Sequence, residues 1–224
     1  MTQKESKKIV IFGTQDFAQL AKFYLDTDSD FNPVAFAVHK EQKTEKTLHS
    51  LPVVDFESIE KKYPPNRFKF FAPLADNKLR EQIYKEAAKK GYEFISYISS
   101  KATVLTKDIG KNCFILEDNT IQPFVKIGDN VIMWSGNHIG HHSIIKPYTF
   151  FSSHVVLSGH CTVKPHCWFG VNSTIRDGLT IAEGTFVAMS ACLTKNTEPW
   201  ALYQGIPAKK VKNLHELDKT WKYI

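Results

Sequence analysis

The chain has 224 residues, of which 42% are hydrophobic and 23% charged, with a formal net charge of +6. That composition fits one large or two small packed cores and excludes disorder, collagen and coiled coil. No apolar run approaches the ~18 residues of a membrane span. The apolar stretch after the polar residues 1–8 is too short for a signal peptide, so a cytoplasmic protein is expected.

The first segment is a run of buried-strand type, Lys8–Phe12, followed by Gly13 and a helical pattern through Leu25. Val34–Val38 and Phe68–Ala72 read as further strands, Asn77–Lys90 as an amphipathic helix closed by Gly91, and Phe94–Ile98 as a fourth strand. Strands alternating with helices predict a small parallel α/β domain over residues 1–105. Its first turn, Gly13-Thr14-Gln15-Asp16-Phe17-Ala18, can aim backbone N–H groups at a diphosphate. It does not meet the G-x-G-x-x-G pattern of a dinucleotide site, and a plain structural turn is the competing reading. His39, just past the second strand, is a candidate contact to a sugar or base, with an exposed surface histidine as the alternative.

From Ile109 the pattern changes. Stepping by six to Leu193 meets fifteen residues, all apolar, among them Ile121, Met133, Ile145, Leu157, Phe169 and Ile181. Four places after each stands a small or β-branched residue such as Cys113, Val131, Ser143 or Thr185, with Asn119, Asn137 and Leu179 as exceptions. A fixed short period signals a solenoid. Three hexads per turn give a coil of 18 residues, and residues 106–224 form a second, all-β domain. A short helix over about Asn213–Trp221 is expected to cap its open end. The four cysteines form no CxxC pair and read mostly as small core fillers. No lysine and arginine block interleaves with aromatics, so a nucleic-acid partner is not expected.

Six of the nine histidines lie between 138 and 166. The densest group is Asn137-His138-Ile139-Gly140-His141-His142-Ser143, with Ile139 inward and His141 and His142 on the turn side. Adding 18 puts Gly159 beside His141 and His160 beside His142. His141 is a candidate general base, and the Gly159 N–H a candidate donor to an oxyanion. His142 joins them as a candidate catalytic neighbour. Stacked His142 and His160 also admit a hydrogen-bonded ladder or a pair of metal ligands. Asn137 and His138 are candidate substrate contacts. Ser152, Gly170 and Ala188 stand one coil apart, and 18 further lies Ile206, next to Pro207, Lys209 and Lys210. This column of small residues reads as a groove for an extended pantetheine arm, with the lysines at its phosphate end. The competing reading is that turns simply favour small residues.

The hexads, with Tyr203-Gln204-Gly205-Ile206-Pro207-Ala208-Lys209 after them, resemble the left-handed parallel β-helix of hexapeptide acyltransferases. The whole chain resembles sugar acyltransferases that join an N-terminal Rossmann-like domain to such a helix, including N-acetyltransferases of nucleotide-linked 4-amino-6-deoxy sugars in bacillosamine, perosamine and viosamine pathways. In that family the catalytic histidine sits in an I-x-H-x-[CS]-x-I context, matched by Ile139-Gly140-His141-His142-Ser143-Ile144-Ile145, and a glycine one coil later matches Gly159. The bacillosamine enzyme carries glutamate where this chain has His142. The family's Asn-x-x-Arg at a helix start matches Asn77 and Arg80. The resemblance implies a nucleotide sugar held by Gly13, Thr14, Gln15, His39, Asn77 and Arg80, acetyl-CoA as co-substrate between β-helices of a homotrimer, and no metal. It implies N-acetylation of a nucleotide-linked amino sugar for surface glycan (O-antigen) biosynthesis. The alternatives are O-acetylation or transfer of a longer acyl group, and a zinc lyase like the γ-type carbonic anhydrases.

Overall fold

The structure is a computed structural model and describes residues 7–214. It falls into two compact units that divide between Tyr97 and Ile98. The boundary lies ahead of residue 105 because Thr103-Val104 already pair in parallel with Thr120-Ile121, which starts the coiling before the first clear hexad. No helix among the described residues is long and apolar enough to cross a membrane.

The first unit holds β1 (Lys8–Phe12), α1 (Asp16–Thr27), β2 (Asn32–Val38), β3 (Thr47–Leu48), β4 (Leu51–Asp55), β5 (Lys69–Phe71) and α2 (Asn77–Lys89). The sheet order is β3-β4-β2-β1-β5, parallel except for the β3–β4 hairpin. β1 carries four successive buried residues, Ile9 to Phe12, as a strand covered on both faces requires. The chain runs from β1 toward one edge and then crosses to β5 on the other side of β1. The carboxyl ends of β1 and β5 therefore flank the switch point at which open α/β sheets receive ligands. Helix α2 is started by Asp76, whose carboxylate accepts from the N–H groups of Lys78 and Leu79. The expected strand Phe94–Ile98 is a correction: Phe94 makes one bridge to Phe70, and only Tyr97–Ile98 continues as strand. The three-residue β5 has too little free edge for more.

The second unit is a parallel β-helix. Two-residue strands pair with a register of 18, for example Ile132 with Phe150, Phe150 with Trp168, and His138 with Val156. Every inward hexad residue from Ile115 to Leu193 is buried, each contributing about 1.5–3 kcal/mol of apolar burial. Large inward residues stack coil on coil, as Phe151 does on Phe169 at 4.6 Å and 9°. Each corner carries a residue with positive φ, such as Asn130 (60°), His142 (59°), His154 (59°), His160 (57°) and His166 (61°). Four of the six clustered histidines thus occupy left-handed corner positions, where histidine and asparagine are enriched. The last coil closes on a strand, Ala201–Gly205, which turns back antiparallel onto Ala208–Asn213. The helix expected over about Asn213–Trp221 is not found at its start, since Asn213 ends a strand; its remainder, 215–221, lies outside the described residues.

Asn119 and Asn137 break the small-residue pattern for a reason the hexads do not disclose. Both are buried inside the helix. Asn119 donates to the carbonyls of Leu116 (2.9 Å) and Trp134 (2.8 Å). Asn137 donates to Trp134 O and accepts from the N–H of Val155 at 2.8 Å. They form an internal amide ladder that satisfies coil-to-coil backbone groups. Asn137 is therefore an interior strut, which corrects its reading as a substrate contact.

Candidate active site

The centre of the site is one corner of the β-helix. The amide of His141 donates to Oε1 of Gln122 in the preceding coil at 2.8 Å. The left-handed backbone of His142 then turns the chain, with its ring between Phe124 (4.7 Å) and His160 (4.9 Å, 13°). His141 stands nearly perpendicular to both imidazoles, at 5.2 Å and 88° to His142 and 5.0 Å and 87° to His160. Its Nδ1 lies 3.0 Å from Nδ1 of His142, so one of these nitrogens carries the shared proton. All three rings are exposed.

The ring of His141 covers Gly159. A β-carbon on residue 159 would stand 2.8 Å from Cε1 and 3.0 Å from Nε2 of that ring. In the preceding coil the equivalent amide, that of His141, is taken by Gln122. The Gly159 N–H makes no hydrogen bond among the described residues, whereas its carbonyl accepts from Gly178. An imidazole and a backbone donor with no acceptor among the described residues are therefore neighbours at this corner. That arrangement can remove a proton and stabilise an oxyanion.

The column expected to hold pantetheine is in part a packing feature. The amides of Ser152, Gly170 and Ala188 each bond to the next coil, through the carbonyls of Phe169, Val187 and Tyr203. Gly170 is buried, and a β-carbon there would meet the amide nitrogen of Met189 at 2.5 Å. The absence of a side chain at this position is demanded by the neighbouring coil, which corrects its assignment to ligand contact. The last coil is two residues shorter than the others, since Val187 pairs with Tyr203. One coil beyond Ala188 is thus Gln204 and not Ile206, which sits at the exposed hairpin turn with Pro207. Lys210 is neutralised by Glu198 at 2.6 Å, leaving the exposed Lys209 as the cation of that pair open to an anion.

In the first unit the expected ligand residues gather at the carboxyl ends of β1, β2 and β5. Gly13 spends its N–H on the carbonyl of Ala37 (2.8 Å), so it offers no donor to a phosphate. Thr14 and Gln15 follow it into the start of α1, and Gln19 ties the loop by donating to Thr14 O at 3.0 Å. Gln19 in turn meets Nε2 of His49 at 2.8 Å. His39 is half-buried against Phe12 and Phe56, its Nδ1 2.9 Å from Glu57. Burial pushes the Glu57 carboxyl up, but hydrogen bonds from His39 and the Lys40 amide outweigh it and hold it below its ordinary value. Arg80 has no exposed surface and donates to Leu74 O, Ala75 O and Asn77 Oδ1. It shapes the loop before α2 from inside, which corrects Asn77 and Arg80 as direct contacts.

Gln122, Phe124, Gln19 and Glu57 were not legible as site residues. Gln122 and Phe124 precede His141 and His142 by about one coil, so only the 18-residue register pointed to them.

The repeat, the parallel coils and the histidine corner define a hexapeptide-type β-helix. Residues 108–141 match the family model described as bacterial transferase hexapeptide (six repeats). By sequence the chain is 28% identical over 114 residues to a probable macrolide acetyltransferase of Lysinibacillus sphaericus; the match covers 46% of this chain and 58% of that protein. The chain thus spans a little over half that relative's length. Among solved structures it is similar to the acetyltransferase domain of PglB from Neisseria gonorrhoeae (TM-score 0.83, 19% identity, 92% of this chain and 100% of that one). It is also similar to PerB from Caulobacter crescentus in complex with CoA and GDP-perosamine (TM-score 0.82, 20% identity, 92% and 97%). At such identity the likeness shows a shared fold.

Proposed function

We propose that the chain is an acetyl-CoA-dependent N-acetyltransferase acting on the amino group of a nucleotide-linked amino sugar. The observation that carries this reading is the imidazole of His141 packed against Gly159, whose N–H makes no hydrogen bond among the described residues. Two structural neighbours, an acetyltransferase domain and a protein holding CoA with GDP-perosamine, favour the same chemistry. On this reading the left-handed helix acts as a homotrimer and the first unit is the Rossmann-like nucleotide-sugar holder, in a cytoplasmic enzyme of surface glycan synthesis.

The amine nitrogen attacks the thioester carbonyl, and the oxygen takes the negative charge against the Gly159 N–H. Nε2 of His141 accepts the proton that the nitrogen sheds. The C–S bond then breaks, and the coenzyme A thiolate leaves with that proton returned to it. For Nε2 to be the base, Nδ1 of His141 must carry its hydrogen and donate it to Nδ1 of His142. His142 then holds the tautomer that a carboxylate would hold elsewhere, without the charge to favour an imidazolium. That weaker support suits an amine, whose lone pair attacks before its proton leaves, better than a hydroxyl. Thr14, Gln15, His39 and His138 remain proposed sugar-nucleotide contacts, and Ser152, Ala188, Pro207 and Lys209 proposed acetyl-CoA contacts.

The test is thiol release from acetyl-CoA with UDP-, dTDP- and GDP-linked 4-amino-6-deoxy sugars, with His141→Asn beside the wild type. Turnover with one sugar, reduced about 10²-fold or more in the variant, is the expected result. Release with hydroxyl acceptors only would move the assignment to O-transfer, and an active variant would remove His141 from the mechanism.

A further inference from the structure

The corner that carries His141 has a second chemical character. The ring centroids of His141, His142 and His160 form a nearly equilateral triangle with sides of 5.2, 5.0 and 4.9 Å. One ligating nitrogen from each lies within 4.8 Å of the other two, and all three side chains are exposed. Among the described residues this is the one group of three or more metal-ligating side chains close enough to share an ion. The backbone fixes the set: φ values of 59° and 57° place His142 and His160 in register one coil apart, and Gln122 anchors the amide of His141.

We infer that this corner binds one divalent transition ion of the zinc type through His141, His142 and His160. Three neutral imidazoles are donors for a borderline ion and poor ones for Mg²⁺ or Ca²⁺. At Zn–N bonds of about 2.0–2.1 Å, tetrahedral ligand atoms lie about 3.4 Å apart. Rotation of exposed rings about χ1 and χ2 supplies the contraction. A fourth position stays open to water. The consequence for catalysis rests on the acetyl-transfer reading: an ion on His141 occupies the lone pair the base uses, so the filled site is the inhibited form. His160 is the ligand of the three to which the proposed acetyl transfer assigns no proton.

The experiment is a calorimetric titration of the full chain with Zn²⁺ in a non-coordinating buffer, comparing wild type with His160→Asn. Asparagine tolerates the left-handed corner, so the variant keeps the fold, checked by its melting curve. The expected result is one ion per wild-type chain and a loss of affinity in the variant beyond the roughly 10–100-fold that an outer-shell change costs. Equal binding by the two proteins, or no binding by either, would overturn the site. In the thiol-release assay, one equivalent of Zn²⁺ should silence the wild type and a chelator should restore it, while the turnover of His160→Asn, whatever its own level without the ion, should not fall further when the ion is added. Zinc-silenced turnover in His160→Asn would also overturn it. The calorimetric readout does not depend on turnover, so an inactive protein that binds zinc through His160 would refute only the acetyl-transfer reading.

Discussion

The imidazole of His141 lies across the backbone of Gly159 in the next coil, so close that a β-carbon at residue 159 would stand 2.8 Å from its Cε1. The same closeness sets the base beside a residue whose N–H makes no hydrogen bond among the described residues, and it makes glycine a requirement of the site and not of the fold. The three atoms nearest to such a β-carbon all belong to the exposed His141 ring, so Gly159→Ala should leave the melting temperature nearly unchanged. Its turnover should fall about 10²-fold, the cost of a base moved by about 1 Å. Steady-state kinetics and a thermal melt on the same preparation check both halves.

Gly170 behaves in the opposite way. A β-carbon there meets the backbone amide of Met189 at 2.5 Å, and backbone does not swing aside as a side chain does. Gly170→Ala should destabilise the protein by about 1–3 kcal/mol, the range for overpacked interiors. Chemical denaturation measures the loss. A variant as stable as the wild type, with a raised KM for acetyl-CoA, would return this residue to the ligand groove.

Asn137 supports the amide of Val155 from inside the helix. Asn137→Ala strands that donor and should cost about 1–3 kcal/mol, visible as a lower urea midpoint. The KM for the sugar should not move. Unchanged stability with a raised KM would count against the interior ladder.

The cysteines should be poor nucleophiles. Burial pushes the Cys167 thiol up to about 12 and raises that of Cys161, and Cys113 is also buried. Below pH 9 the thiolate fraction of Cys161 and Cys167 is small, and reagents cannot reach any of the three buried thiols. A disulfide reagent at pH 8 should titrate no more than the half-buried Cys192 quickly in the native protein, and all four thiols after denaturation. Rapid reaction of two or more native thiols would contradict the packing.

The sequence by itself determined the β-helix, because a six-residue period is a local property: each inward residue needs only its neighbours one coil away, at a fixed offset. For the same reason the offset of 18 is enough to bring Gly159 under His141 and His160 beside His142. The alternating strands and helices of the first unit were likewise legible, apart from the strand expected over Phe94–Ile98 and the β3–β4 hairpin, in which Val53 alone is buried and no apolar run marks a strand. Tertiary structure alone decided the rest. It turned Asn137 inward, where a polar side chain is stable only because the stacked coils present backbone groups to it. It buried Arg80 behind the loop it holds, set Glu198 against Lys210, and shortened the last coil so that Ile206 left the column. In each case the deciding partner is not at a fixed spacing, so no periodicity announces it. It took the folded chain to show that four of the six clustered histidines stand where the backbone turns left-handed.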